Sequence, residues 1–361
     1  MTTVFLWCTG QDDNIGDIVL RRRLLHALSA PGARVVVYVG KGSGGFVDAL
    51  VGSAAVTVQR SRVRWLQALC RSAVRGSTVL VHNAGEIQLD SKTVQSQLAL
   101  LLPQLLVRMR GGLVVRAGCA VQDRSGITAR IAGALVSLVG RTTTTTIWRD
   151  TESGRTFGSG PIVPDWAFDE SVSSATSSVR DTLVLTFRSD RPALSDKGLH
   201  EISRFADSHA LTVRTVVQVR RDNDAMSRLA QQIGCEHVDW PDSRSHIDQE
   251  RVIRAEFARA AMVVSDRIHA LIIGCTEGAV PAALSATPDR KVQRHFSAAG
   301  IDAIVLDEVD GREADIDEFL TATLRRGPEI SLSVAVAQQR IQGLDAQIEA
   351  DITALAERSP R

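Results

Sequence analysis

Short apolar runs alternate along the chain with stretches whose apolar residues recur at three- and four-residue spacing. Val4 to Cys8, Arg34 to Val39, Thr78 to His82 and Gly112 to Ala117 read as buried strands. Ile18 to Leu28, Phe46 to Val51, Val94 to Arg108 and Ile127 to Leu138 read as the helices that follow them. Such a rhythm predicts a parallel sheet with helical crossovers. Strand-like Thr144 to Trp148 and Pro161 to Val163 come next. The Ser-rich stretch Ser171 to Ser178 then breaks the pattern where a linker belongs.

The rhythm restarts with strands at Thr182 to Phe187, Leu211 to Val219 and Ala261 to Ser265, followed by Ala279 to Leu284 and Ala303 to Leu306. Helices are expected over Ser195 to His209, Asp224 to Ile233 and Ala270 to Glu277. Ile341, Leu344, Ile348, Ile352 and Leu355 recur at helical spacing among charges and predict a long closing amphipathic helix, whose apolar seam is too short for a coiled coil. The expected division is 1–170, 179–325 and a helix over 326–361, with two α/β halves facing a cleft. Function is sought at the carboxyl ends of their strands.

Composition narrows the partners. The 361 residues, 44% hydrophobic and 23% charged, suit two soluble globular domains. A formal net charge of +1, without interleaved aromatic and basic residues, argues against nucleic acid as a partner. Cys8, Cys70, Cys119, Cys235 and Cys275 are odd in number and lack C-x-x-C spacing, which predicts reduced thiols and no metal site. Val4 to Cys8 is too short for a signal-peptide core, so a cytoplasmic protein is expected. Neither Leu98 to Val107 nor Ile131 to Gly140 can span a bilayer, which takes about 18 residues. Arg60 to Arg75 interleaves five arginines with Val63, Trp65, Leu66 and Leu69. That pattern fits a solvated basic helix face and leaves room for a peripheral contact with the inner face of a membrane.

Candidate chemistry gathers at strand ends. Val263 to Ser265 runs into Asp266-Arg267-Ile268-His269 and a following helix, which sets a permanent cation and a titratable imidazole beside a helix N-terminus. Arg188 follows the strand Thr182 to Phe187 and projects from the same sheet edge. Two arginines and an imidazole of pKa about 6.5 can together hold a small anion and move a proton. Lys291 adds a point charge in a loop that is otherwise a solvated basic segment. In the first half, Asn14-Ile15-Gly16-Asp17 precedes the helix expected from Ile18 and serves an anion or sugar hydroxyl, or simply a helix cap through Asp17. His82-Asn83-Ala84-Gly85-Glu86 offers hydrogen-bonding groups for an acceptor hydroxyl. Arg149-Asp150 and Asp165-Trp166 fit structural pairs that orient loops. Neither a dinucleotide fingerprint nor a P-loop is present.

Taken in order, Asn14-x-Gly16-Asp17, Arg149-Asp150-x-x-Ser153, Pro164-Asp165-x-Ala167-Phe168, Arg188 and Ser265-Asp266-Arg267-Ile268-His269-Ala270 with Pro281 behind it resemble the polysaccharide pyruvyl transferase family. The turn His82-Asn83-Ala84-Gly85 departs from that family's Gly-rich turn. The resemblance implies a GT-B-like fold of two Rossmann-like domains and phosphoenolpyruvate as donor substrate, with no cofactor. It also implies a glycan, nucleotide-sugar or lipid-linked sugar acceptor whose diol becomes a pyruvate ketal. Arg188, Arg267, His269 and Lys291 then bind the donor, and Asn14, Gly16, Asp17, His82 and Asn83 serve the acceptor. His269 carries the proton transfers while the arginines stabilise the carboxylate and the departing phosphate. Two other readings stand beside it: a nucleotide-sugar-dependent glycosyltransferase of the same architecture, and a binding protein that kept the pocket without catalysis.

Overall fold

A computed structural model describes residues 2–29, 32–122, 125–170, 179–288, 290–307 and 312–358. The Ser-rich linker expected over 171–178 lies outside them. The chain divides into two compact units. The first comprises 1–12, 20–166 and 339–361, and the second 13–19 and 167–338. Residues 13–19 thus belong with the second unit, although the sequence assigns them to the first half.

The first unit carries β1 (Thr3–Trp7), α1 (Ile15–Ala27, shared in its first turn with the second unit), β2 (Arg34–Tyr38), α2 (Gly44–Val51), β3 (Val56–Gln59), α3 (Arg62–Arg75), β4 (Thr78–Val81), β5 (Gly85–Ile87), α4 (Ser91–Met109), β6 (Leu113–Val121), α5 (Ile127–Gly140), β7 (Thr145–Trp148) and α6 (Thr151–Phe157). The sheet is parallel in the order β3-β2-β1-β4-β6-β5, with β7 also on β6. Its inner strands β1, β2 and β4 are nearly continuous apolar runs because helices cover a parallel sheet.

In the basic stretch Arg60 to Arg75, Val63 and Val74 stand exposed, while the larger apolar residues are used inside the unit. Trp65, Leu69 and Ala73 pack with Phe5, Val36 and Leu80, which removes them from any membrane surface. β6 bends where Gly118 takes φ +70°, and a Cβ there would strike the Trp166 indole, so both backbone and space require glycine. Pro161 to Val163, expected as a strand, makes only an isolated bridge from Ile162 to Trp148.

The second unit contains β8 (Thr182–Thr186), α7 (Asp196–Ser208), β9 (Thr212–Val216), α8 (Asn223–Ile233), β10 (Glu236–Val238), α9 (His246–Arg259), β11 (Ala260–Ser265), α10 (Ile268–Thr276), β12 (Val280–Ser285), α11 (Arg290–Ala298), β13 (Val305–Asp307), α12 (Asp315–Arg325) and α13 (Gly327–Glu357). Its parallel order is β10-β9-β8-β11-β12-β13. The sheet therefore reverses its winding between β8 and β11, and an open α/β sheet binds ligands outside the carboxyl ends of the strands at such a point.

The predicted closing helix is α13, and its residues from 339 onward belong to the first unit. There Leu344, Ile348 and Ile352 are buried, Arg23 pairs with Asp345, and Ser77 Oγ donates to the Leu355 carbonyl at 3.3 Å. Two Rossmann-like units with a long C-terminal helix make this a GT-B-like fold. Among the described residues, no helix is long and apolar enough to cross a membrane.

Candidate functional site

The reversal between β8 and β11 is cross-linked by short side chains. Ser265 Oγ donates to the Thr186 carbonyl and accepts from the Arg267 amide at 2.8 Å, locking the two strand ends together. Asp266 accepts from the Arg188 amide at 2.9 Å. Asp222, in the 3-10 turn Arg220–Asp222, accepts from both the amide and the hydroxyl of Ser189 at 2.9 and 2.8 Å, and its other oxygen pairs with Arg267. Arg188 makes a two-pronged pair with Asp190 at 2.8 and 2.7 Å. The guanidinium groups expected to hold the donor are thus oriented by Asp190 and Asp222, while Asp266 holds the backbone of Arg188. Asp266 was legible, since it adjoins Arg267. Asp222 carries no sequence signal, because only the return of the loop after β9 brings it to β8 and β11.

The electrostatics follow from this packing. Burial pulls the Arg267 guanidinium below its ordinary pKa; Asp222 opposes the shift and the neighbouring charge of Arg188 reinforces it. Arg188 hydrogen-bonds Asp190 and holds it down at about 2. Burial pushes Asp266 up to about 6, against the pull of Arg267 and of the Arg188 amide. Asp266 is therefore a group at the switch point that titrates close to neutrality.

A folded pKa raised above the unfolded 3.8 means that Asp266 favours folding when protonated. That contribution is complete below about pH 4 and lost as pH rises through about 6. Denaturant titrations should accordingly find Asp266→Asn and wild type equal below pH 4. Above pH 6 the variant should be more stable by on the order of 2–3 kcal/mol.

His269 sits in the first turn of α10, nine-tenths buried, and its ring packs against Gly16. A Cβ on Gly16 would overlap Cβ and Cγ of His269 and lie 2.7 Å from Nδ1. The helix containing Gly16 starts at Ile15 rather than Ile18, and Asn14 rather than Asp17 caps it. Asn14 Oδ1 accepts from the Gly16 amide at 3.0 Å and from Gln218 Nε2 at 2.9 Å. Asp17 falls in the first turn, where its charge suits the helix dipole. Arg221 clamps Asp13, and the Arg220 amide donates to the Asp13 carbonyl at 2.9 Å. Asn14, Gly16 and Asp17, expected on the acceptor side, thus stand in the second unit, with Gly16 against His269.

Next to these residues, a cavity of about 380 Å³ opens at the ends of β8 and β12. Phe187, Leu199, Met226 and Leu284 give it apolar walls, and Arg188, Arg191 and Asp266 give it charge. Arg267 and His269 are not in its lining. Lys291 is half-buried at the start of α11 and is likewise outside it.

The first unit has its own cavity, of about 420 Å³, lined by His82, Asn83, Glu86, Gln97 and Arg116 among others. His82 is committed to the interior. Its ring donates through Nε2 to Gln104 Oε1 at 2.7 Å, because the Gln104 amide nitrogen is used on the Val139 carbonyl at 2.8 Å. Burial, then the charge of Arg116, lowers its pKa to about 3, so His82 stays neutral and supplies no proton near pH 7. Asn83 donates to the Thr9 carbonyl at 2.8 Å and accepts from Arg21 Nε at 3.1 Å. The other motif residues hold loops: Arg149 pairs with Asp165, and Asp150 caps α6 through the Ser153 amide at 2.8 Å. Among the described residues, no group of three or more His, Cys, Asp or Glu side chains is placed to hold a metal ion.

No protein-family model matches the sequence, and no curated protein matches it. Solved structures do match the fold. Anabaena Alr3699/HepE in complex with UDP is 14% identical and superposes with a TM-score of 0.58 over 98% of this chain and 100% of its own. A putative UDP-N-acetylglucosamine 2-epimerase from Listeria monocytogenes is 10% identical, with a TM-score of 0.57 over 96% and 94%. The S. aureus MnaA–UDP co-structure is 8% identical, with a TM-score of 0.54 over 94% and 91%. At such identities the likeness establishes the GT-B-like fold, and function has to be argued from the site.

Proposed function

We propose that this protein is a transferase that takes an activated, phosphate-bearing donor at the β8/β11 switch point and passes a group from it to a saccharide acceptor. The observation that carries the reading is that one sheet reversal gathers Arg188, whose amide is held by Asp266, Arg267, which is held by Asp222, and His269, which packs on Gly16 of the Asn14–Asp17 turn. The arginines supply counter-charge for a phosphate leaving group, and the imidazole supplies a proton carrier. The polar cavity of the first unit, with Asn83 and Glu86 in its wall, is the place for the acceptor.

Between donor chemistries, a nucleotide sugar stands first. Fold relatives were solved with UDP and with UDP-glucose, and the cavity beside Arg188 joins apolar walls for a base to arginines for a diphosphate.

Phosphoenolpyruvate is the second reading. It is favoured because the turn Asn14-x-Gly16-Asp17 and Arg267-x-His269, two pieces of the pyruvyl transferase resemblance, touch each other through Gly16 and His269. In that case His269 would protonate the methylene carbon, and one acceptor hydroxyl would attack the central carbon. Phosphate would leave, and the second hydroxyl would close the ketal. Titration calorimetry with UDP, UDP-glucose and phosphoenolpyruvate decides between them. Binding of the uridine compounds, lost in Arg188→Ala, supports the first; binding of phosphoenolpyruvate alone supports the second; binding of none overturns the donor site.

A further inference from the structure

Helices α3, α4 and α5 contain no aspartate or glutamate, in a chain whose acids and bases almost balance overall. They also hold eight of the twelve large hydrophobic side chains that stand exposed among the described residues. The concentration is greatest on α4 and α5, which pack side by side. On α4, Leu98, Leu102 and Met109 follow one another at helical spacing, with Leu102 74% and Met109 82% exposed. On α5, Ile127, Ile131 and Leu138 do the same, with Ile127 72% exposed. Each helix buries its other face, through Leu100 and Val107 on α4 and Ala129, Ala132 and Val136 on α5. The outward stripes are therefore surplus to the core.

Exposed cations accompany them: Lys92 at the start of α4, Arg108 and Arg110 at its end, Arg130 within α5 and Arg141 at its C-cap. Exposed apolar stripes on two helices that pack together mark a contact surface, since core-facing packing does not produce them. Cations on two helices that themselves carry no acid select a negatively charged partner. Apolar side chains with arginines beside them suit the boundary of headgroups and acyl chains, where leucine, isoleucine and methionine leave water while the guanidinium groups meet phosphate.

We infer that the α4–α5 face of the first unit docks on a bilayer containing anionic phospholipid. The surface differs from the one suggested by the sequence, because the aromatic and leucine residues of α3 are used in the core. It does not depend on which donor the second unit takes.

Co-sedimentation of the full chain with phosphatidylcholine vesicles, with and without phosphatidylglycerol, tests the inference. Binding is expected only with phosphatidylglycerol, and it should weaken as salt rises. Reversing Arg108→Glu and Arg130→Glu together should lower the partition coefficient at least about thirtyfold. Leu102→Gln with Ile131→Gln should lower it further, while Leu332→Gln on the second unit leaves it unchanged. Thermal melts confirm that each variant is folded. Three results overturn the inference: no binding to phosphatidylglycerol vesicles, equal binding to neutral ones, or a dimer in sedimentation velocity that Leu102→Gln dissolves, which would give the face to a second copy of the chain.

Discussion

An Arg149→Met protein is expected to lose about 3–5 kcal/mol of stability, the cost of leaving a buried carboxylate without its cation. Arg149 and Asp165 are both essentially inaccessible, and they join the end of β7 to the segment that follows α6. The Asp165 carboxylate is the larger reason that Arg149 keeps a raised pKa against the cost of burial. The loss arises from the orphaned Asp165 more than from the absent attraction. Arg149→Met combined with Asp165→Leu should therefore recover most of it, and the recovery separates an ion-pair penalty from a packing defect. Urea unfolding of the two single variants and the double variant, followed by circular dichroism, reads the coupling directly. A double variant no more stable than the worse single one would show that the loss comes from packing and not from an unpaired charge.

With His269 as the proton carrier proposed above, Gly16→Ala should reduce turnover with the true donor about a hundredfold, because an ångström of displacement at such a group costs that much. The added methyl overlaps the Cβ and Cγ of His269, which lie next to the backbone of α10 and cannot swing away as the tip of a long side chain does. Either α10 or the Asn14–Asp17 turn has to move, and a thermal melt should report about 1–3 kcal/mol of overpacking. Pairing Gly16→Ala with His269→Ala removes the overlap. Stability should return in that double variant while turnover stays low. Recovery of turnover along with stability would instead assign His269 a purely structural place.

Much of the fold could be read from periodicity. Buried parallel strands are unbroken apolar runs, and β1, β2, β4, β8, β11 and β12 all stand within a residue or two of their expected positions. Elements without that contrast escaped. β3 is only partly buried, β10 and β5 are three residues long, and α9 buries Gln249, Glu250 and Arg254 alongside Ile253 and Phe257, so its inward face does not look apolar. There the inward charges are satisfied in space, Arg254 pairing with Glu250, Glu277 and Glu170. A pattern of hydrophobic positions cannot register such partners.

The candidate site divides along the same line. Arg188, Arg267 and His269 were visible because each follows an apolar strand within a few residues, and chain direction alone carries such residues to the carboxyl edge of a parallel sheet. His82 was visible for the same reason, yet its surroundings make it a neutral core group. The charge state of a buried imidazole depends on Gln104 and Arg116, distant in sequence, and not on its own neighbours.

The order of apolar and polar residues was enough to determine two parallel α/β halves, a long final helix and which residues stand at the carboxyl ends of the strands, because these depend on contacts between near neighbours in the chain. Tertiary structure alone decided that residues 13–19 leave the first half to lie against His269, that Asp222 orients Arg267, and that the leucines and isoleucines of α4 and α5 face outward. Each of these outcomes depends on which surfaces remain uncovered, or which charges meet, once segments far apart in sequence have packed. Local propensity carries no record of that packing.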